Sequence, residues 1–458
     1  MERRAANRDR GWVLAPIALA ILFAVLVLPV ALHGADRTSE AADEAAAHWP
    51  TIQRFAAELP APVLADYPSA TGPGWHLALA VPARMGMGLH GLRVVASCAG
   101  LALVLLCWRG AARSVGPWLG AALALPVLLS TYVLSGSAWI TTDVVSVLLG
   151  AAIVAVAAWW PPRGATFPVL AALFAGALSI RQTNVYLAAP VLAIGILASP
   201  LGRRASDAEQ WAGDEPRSWA RLVAAIAALV PGLFILGGLV WTWGGLTPPW
   251  FREYHDAGLS PVAPAYGLCL VAGWGALLLA PMAMEVLRTI QRHPVAMLGL
   301  MTLAGLAAGI PESAWSREAG RWGGAAWTVI QRVPSVHDRS PAVVVGAAIG
   351  ALVLGVLWVR AAEVRRGRMA TVIVVSLLAM FAVQAGNSQV WQRYFDPLLL
   401  VALAWLSALG VDRTRPHSAG RLAVGAMLLA GAQAALSAIS YWLPAATAWG
   451  FAAPSFLP

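Results

Sequence analysis

The chain contains no lysine: its 31 basic side chains are all arginine, set against 22 acidic ones for a formal net charge of +9. Charged residues of both signs make up only 12% of the 458 positions, while 59% are hydrophobic and the mean hydropathy is +0.70. So little charge excludes a soluble protein of several domains and places the chain in a membrane. The missing lysine, beside abundant alanine and glycine, speaks of a GC-rich genome rather than of a function. A sequence pI near 10.3 would suit a nucleic-acid binder. The arginines, however, stand in short clusters between apolar runs, the pattern that sets membrane topology and meets anionic headgroups. Membrane lipids are therefore expected partners, and nucleic acid is not. Cysteine is scarce too. Cys98, Cys107 and Cys269 fall in apolar runs without metal-site spacing, which leaves them as small buried hydrophobes; no metal and no cofactor is expected. Also missing is the inverted internal repeat common among transporters.

What the chain has in abundance is long apolar runs. About 20 such residues cross a bilayer as a helix. The runs at 12–32, 91–108, 117–134, 142–160, 167–180, 185–199, 222–242, 264–287, 294–310, 341–360, 370–386, 395–411 and 422–443 predict an all-α polytopic bundle. The reading gives about 13 transmembrane helices, within a range of about 11 to 14, in a single transmembrane domain over residues 1–458. The first run is longer than the core of a secretory signal and reads as a retained helix. Arg3, Arg4, Arg8 and Arg10 put the N-terminus in the cytoplasm of a bacterial-type plasma membrane. Two long loops, 33–76 and 311–340, then lie outside. Between them, 77–90 is too short and too broken by Pro82 and Arg84 to span, and predicts an interfacial or re-entrant helix. The loop 311–340 departs from the charge rule with Arg317, Arg321, Arg332 and Arg339. Either the topology differs there or these arginines are kept to bind an anion.

The loop 33–76 is the longest polar interval outside the termini, and the chemistry is expected in it. Asp36, Glu40, Asp43 and Glu44 recur at spacings of three and four, so a helix would show them on about one face. His48 follows Glu44 by one turn, and Trp49, Ile52, Phe55 and Leu59 supply an apolar face by which the loop would lie on the membrane. A solvated acidic face is the plain alternative. Held near a membrane surface, a carboxylate can serve as general base towards a hydroxyl. Asp66 precedes a turn running through Thr71, Gly72, Pro73 and Gly74. Further on, Arg181-Gln182-Thr183-Asn184 places four hydrogen-bonding side chains between two apolar runs. They mark either a short outer turn or a polar cavity in which Arg181 holds a phosphate. In Trp391-Gln392-Arg393-Tyr394-Phe395-Asp396-Pro397, a second phosphate-competent arginine, Arg393, stands among interfacial aromatics. Asp143 is a further ionisable group near the same side.

Together these segments resemble the membrane glycosyltransferases of the GT-C type. More narrowly, they resemble the family of the dolichyl-phosphate-glucose-dependent alpha-1,2-glucosyltransferase. That family carries an acidic pair followed by His-x-Pro and Gln, and this chain has Asp43-Glu44, His48-Trp49-Pro50 and Gln53. It then carries Asp, Thr, Pro and Gly before a helix, matched by Asp66, Thr71, Pro73 and Gly74, and an Arg-Gln-Thr-Asn segment matched by residues 181–184. One departure stands out: the family's acidic pair lies one residue nearer the histidine, so its two positions correspond here to Glu44 and Ala45. Either Asp43-Glu44 acts through a one-residue shift, or one carboxylate is missing.

The resemblance implies transfer of a hexose, glucose by family, from a polyprenyl-phosphate donor to a hydroxyl of a lipid-linked or surface glycan outside the membrane. It implies inversion, with Asp43 or Glu44 as base. Arg181 and Arg393 would hold the donor phosphate, and His48, Asp66, Thr71, Gln182 and Asn184 would bind substrate or acceptor. A lipid or solute transporter, or a noncatalytic protein of the same fold, is the alternative. A transporter would want charges deep in the spans and related halves, whereas these charges collect in outer loops.

Overall fold

The computed structural model describes residues 2–34, 39–202, 217–252, 258–321, 323–412 and 416–448. Asp36, and residues 203–216 of the charged stretch between the runs 185–199 and 222–242, lie outside them. Every regular element among the described residues is helical, the form in which a chain satisfies its own backbone N–H and C=O groups without water. Seven helices are long and apolar enough to cross a bilayer: Arg10–His33, Leu89–Val115, Trp219–Trp243, Ala263–Arg292, Pro341–Glu363, Gly367–Gln384 and His417–Ala446. Five shorter apolar helices accompany them: Asp143–Trp159, Thr166–Ile180, Gln182–Leu197, Pro294–Gly309 and Asp396–Leu409. The span expected at 117–134 is instead a bent pair, Pro117–Leu128 and Thr131–Ala138, turned by 72°. Ser130 adopts an extended conformation between them (φ −65°, ψ 129°), and the second arm shares a small cleft with Asp143 and Arg393 through Tyr132, Ser135 and Gly136.

Asp396–Leu409 shows why short helices suffice. At 1.5 Å per residue its 14 residues cover about 21 Å, less than the ~30 Å hydrocarbon core. It does not need to reach across lipid, because every one of its residues is buried. It packs against Leu89–Val115, Pro117–Leu128, Asp143–Trp159 and Gly367–Gln384. A helix that is apolar on all sides belongs in the core, and the residues just before this one bring Arg393 and Tyr394 to a fixed position. Pro294–Gly309 is as apolar but peripheral, with Val295, Leu298, Leu303 and Leu306 exposed where acyl chains would lie.

The polar loop after the first helix is structured. Helix Ser39–Asp43 continues through a π-helical turn, Glu44–His48, into Trp49–Glu58. Its apolar face does not lie on the membrane, which corrects the sequence expectation. Ile52 is buried with Leu79, Leu92 and Ile140, and Phe55 with Tyr67, Ala80 and Trp243. The reason is the neighbouring helix Gly74–Arg84, the one expected at the interface, which offers its own apolar side as a closer partner than lipid. Two of the four arginines of 311–340 likewise have a structural explanation that the sequence did not suggest. Arg339 donates to the carbonyls of Gly309 (2.7 Å) and Ile310 (3.1 Å), ending the helix Pro294–Gly309. Arg321, itself buried, donates to Ala314 (2.8 Å).

Candidate active site

The π turn separates the fates of the two adjacent carboxylates. Glu44 points inward and is 2% exposed. Arg93 Nε donates to both its oxygens, at 3.0 and 3.1 Å, Arg93 Nη2 adds a short contact to Oε1, and the Ile140 amide donates to Oε2 at 2.8 Å. The guanidinium lies 4.4 Å from the Trp139 ring. Both oxygens are thus engaged in a buried ion pair, which leaves Glu44 no lone pair directed at a substrate. Asp43 points outward, its side chain 54% exposed, with Oδ2 3.8 Å from Arg393 Nη1. Partial burial raises its pKa above the ordinary carboxylate value. Arg393 opposes that shift, and the like charges of Glu40 and Asp143 add to it.

Arg393 is held against two aromatics. The parallel rings of Trp391 and Tyr394 have centroids 5.9 Å apart, and the guanidinium carbon sits 4.1 Å from the first and 5.3 Å from the second. Arg181 approaches the same Tyr394 ring at 5.7 Å. Its own anchor is Asp143, with Nη2 to Oδ1 at 2.6 Å, aided by Nε to Thr142 Oγ1 at 3.1 Å. Two arginines from distant parts of the chain therefore converge on one tyrosine. Behind them, Gln392 donates to Asp396 Oδ2 at 2.6 Å and accepts from the Ala326 amide at 2.9 Å. Trp274 completes that carboxylate at 2.8 Å. The loop 311–340 thus braces the segment that carries Arg393.

His48 joins a buried chain. Its Nδ1 is 2.7 Å from His76 Nε2, and His76 Nδ1 is 2.5 Å from the Tyr67 hydroxyl, which donates to the Gly72 carbonyl at 3.1 Å. Burial lowers the pKa of His48 to about 4. Arg181 and Arg393 add to that shift and Asp143 opposes it. Burial also takes His76 well below its ordinary value, so both rings are neutral near pH 7. With the tyrosine proton on Gly72, His76 donates from Nδ1 and accepts from His48 at Nε2. The remaining His48 Nε2 is then a hydrogen-bond acceptor.

A cavity of about 240 Å³ is lined by the polar side chains of Thr71, Arg181, Gln182, Gln384, Asn387 and Tyr394 and by the apolar ones of Val185, Leu236, Leu246 and Val383. The Pro/Gly turn is seated on this wall. The Gly72 amide donates to the Ile180 carbonyl at 2.9 Å, and a Cβ on Gly72 would collide with the Ser179 carbonyl. The structure thus brings together Asp43, Arg181 and Arg393, with His48 coupled to them electrostatically and Thr71 and Gln182 on the cavity. It separates three others. Asn184 turns into the core, donating to Ser146 Oγ (2.9 Å) and the Ala177 carbonyl (2.7 Å), because the helix end at Ile180 needs a donor. Asp66 stands on the rim, 73% exposed and 3.4 Å from Arg54. Glu44 is sequestered by Arg93. Sequence reasoning missed Arg93, although an arginine inside an apolar run asks for a buried anion. It also missed Gln384, whose only signal is one amide closing an apolar run. Among the described residues, His, Cys, Asp and Glu do not gather in groups of three at metal-binding distances.

Neither a protein-family profile nor a curated protein sequence matches the chain. The crystal structure of ArnT from Cupriavidus metallidurans in the apo state aligns over 94% of this chain and 78% of that one, at 14% identity and a TM-score of 0.36, a likeness too slight to carry an argument.

Proposed function

We propose that this chain is a GT-C type glycosyltransferase of the membrane, moving a hexose from a polyprenyl-phosphate donor to an acceptor hydroxyl on the outer face. The observation that carries the reading is the convergence of one outward carboxylate, Asp43, with Arg393, which shares the Tyr394 ring with Arg181, beside a cavity that Arg181 and Tyr394 line together with apolar side chains. An isoprenoid chain matches the apolar lining, and a phosphate matches the guanidiniums. Arg393 supports this further, since its buried Nε–H has no acceptor among the described residues, the deficit an anion would fill.

In the proposed step, Asp43 takes the acceptor proton as the acceptor oxygen forms its bond to the anomeric carbon. The bond from that carbon to the phosphate oxygen breaks, and the lipid phosphate leaves as an anion beside Arg181 and Arg393. Attack opposite the leaving phosphate inverts the anomeric centre. Glu44 acts as a fixed anion that locks the loop through Arg93. The π turn explains the departure from the family motif. It holds one residue more than an α turn, so it is the form an extra residue between the acidic pair and His48 would take. Glucose, and an alpha-1,2 linkage, follow from the sequence resemblance.

The test is transfer from polyprenyl-phosphate glucose by purified protein bearing Asp43→Asn. Loss of the base should lower turnover by about 10²–10⁴-fold while the melting temperature stays unchanged. Wild-type turnover in this variant would remove Asp43 from the mechanism.

A further inference from the structure

We infer that Gln384 reads a hydroxyl of the donor's sugar, and that the cavity selects a neutral, hydroxylated sugar. The inference rests on the reading of the cavity as the donor site.

Gln384 is the last residue of helix Gly367–Gln384. Its side chain lines the cavity, is 5% exposed, and has an Oε1 that is buried without a hydrogen-bond partner among the described residues. Buried amide oxygens are paired in the great majority of folded structures, because an unpaired one loses its water without replacement. An acceptor left unpaired on a residue of the cavity wall fits a donor that arrives with the ligand. The backbone that carries it is also fixed in place. The chain beyond the helix tightens, with the amides of Ala385, Gly386 and Asn387 donating to carbonyls three residues back at 3.0–3.1 Å, and the Ser260 amide donates to Ala385 at 2.7 Å.

Two neighbouring amides are half committed. Gln182 gives its Nε2 to the Leu246 carbonyl at 2.9 Å, so what it offers a ligand is its oxygen. Asn387 accepts the Gln389 amide on Oδ1 at 3.0 Å, so what it offers is its NH2. The wall therefore presents two acceptors and one donor, all uncharged, a set suited to hydroxyls, each of which both donates and accepts. Arg181, the guanidinium on the same cavity, marks the phosphate side. A carboxylated sugar would place its charge against the two amide oxygens, which disfavours it.

The test measures binding of polyprenyl phosphate and of polyprenyl-phosphate glucose to the full-length protein, comparing wild type with Gln384→Met. Wild type should prefer the glycosylated carrier. Gln384→Met, nearly equal in volume, should lose at least about tenfold of that preference and bind the bare carrier as before, which also reports an intact fold. In wild type alone, one of the four singly deoxygenated glucose donors should show the same loss, and Gln384→Met should not weaken that donor further. An unchanged preference in Gln384→Met, or a wild type to which no single hydroxyl matters, overturns the inference and leaves the transferase reading standing. A wild type that binds neither carrier overturns the transferase reading itself.

Discussion

Two carboxylates side by side, Asp43 and Glu44, should respond to mutation in opposite ways. Removing Glu44 strands Arg93 in a buried site, so Glu44→Ala should cost about 3–5 kcal/mol of stability, read as a large fall in melting temperature. Asp43→Ala, at an exposed position, should change stability by no more than about 0.5 kcal/mol while losing transfer. The sequence offered both residues and could not choose between them, because the choice depends on a partner 49 positions away and on a π turn that no periodicity announces. The pH profile supplies a second check. A base acts only when ionised, and the pKa of Asp43 is raised, so activity should fall on acidification at a pH above the ordinary carboxylate value of 3.8. Arg393 lowers this pKa. Arg393→Gln removes a positive charge, so the acid limb of its residual activity should move to higher pH. A limb that stays in place would mean that another group sets it.

At the level of elements, the site depends on the Pro/Gly turn seated against Ser179 and Ile180. Gly72→Ala drives a methyl into the Ser179 carbonyl. Such overpacking costs about 1–3 kcal/mol and should part Thr71 from Arg181, lowering both melting temperature and donor use. Gly164→Ala, with open space around it, is the control and should leave both unchanged. The turn and the Arg181 segment were each legible in sequence, but not the fact that they touch, since backbone against backbone leaves no side-chain signature beyond a glycine. Composition has a related blind spot for the spans. Asp396–Leu409 and Pro294–Gly309 read alike as apolar runs, yet one is buried on every side and the other faces outward. Hydropathy registers removal from water and does not distinguish lipid from protein. The same ambiguity led the face of Ile52 and Phe55 to be assigned to the membrane rather than to Gly74–Arg84.

The orientation of the whole molecule can be argued from where the helices end. Gly367–Gln384 and Asp396–Leu409 run in opposite directions along the bundle. Gln384 and Asp396 lie at the site end, while Arg366 meets the carbonyls of Ala408 and Leu409 at the other. The 18 residues of Gly367–Gln384 separate the two ends by about 27 Å, close to the thickness of a hydrocarbon core. Arginines occur at both ends, so their number alone does not decide which faces the cytoplasm. Their partners do. At the site end, Arg54, Arg181 and Arg393 face carboxylates, and Arg84, Arg252, Arg321 and Arg339 cap backbone carbonyls. This commitment to local partners is compatible with an outer face in spite of the charge rule. Ala61, exposed on the loop beside the site, and Ala165, exposed beyond the far end of Asp143–Trp159, test the orientation directly. With the exposed Cys98 replaced by alanine, Ala61→Cys should react with a membrane-impermeant thiol reagent in intact cells. Ala165→Cys should react only after permeabilisation. The reverse pattern would put Asp43, Arg181 and Arg393 in the cytoplasm, and a donor presented on the outer face would never reach them.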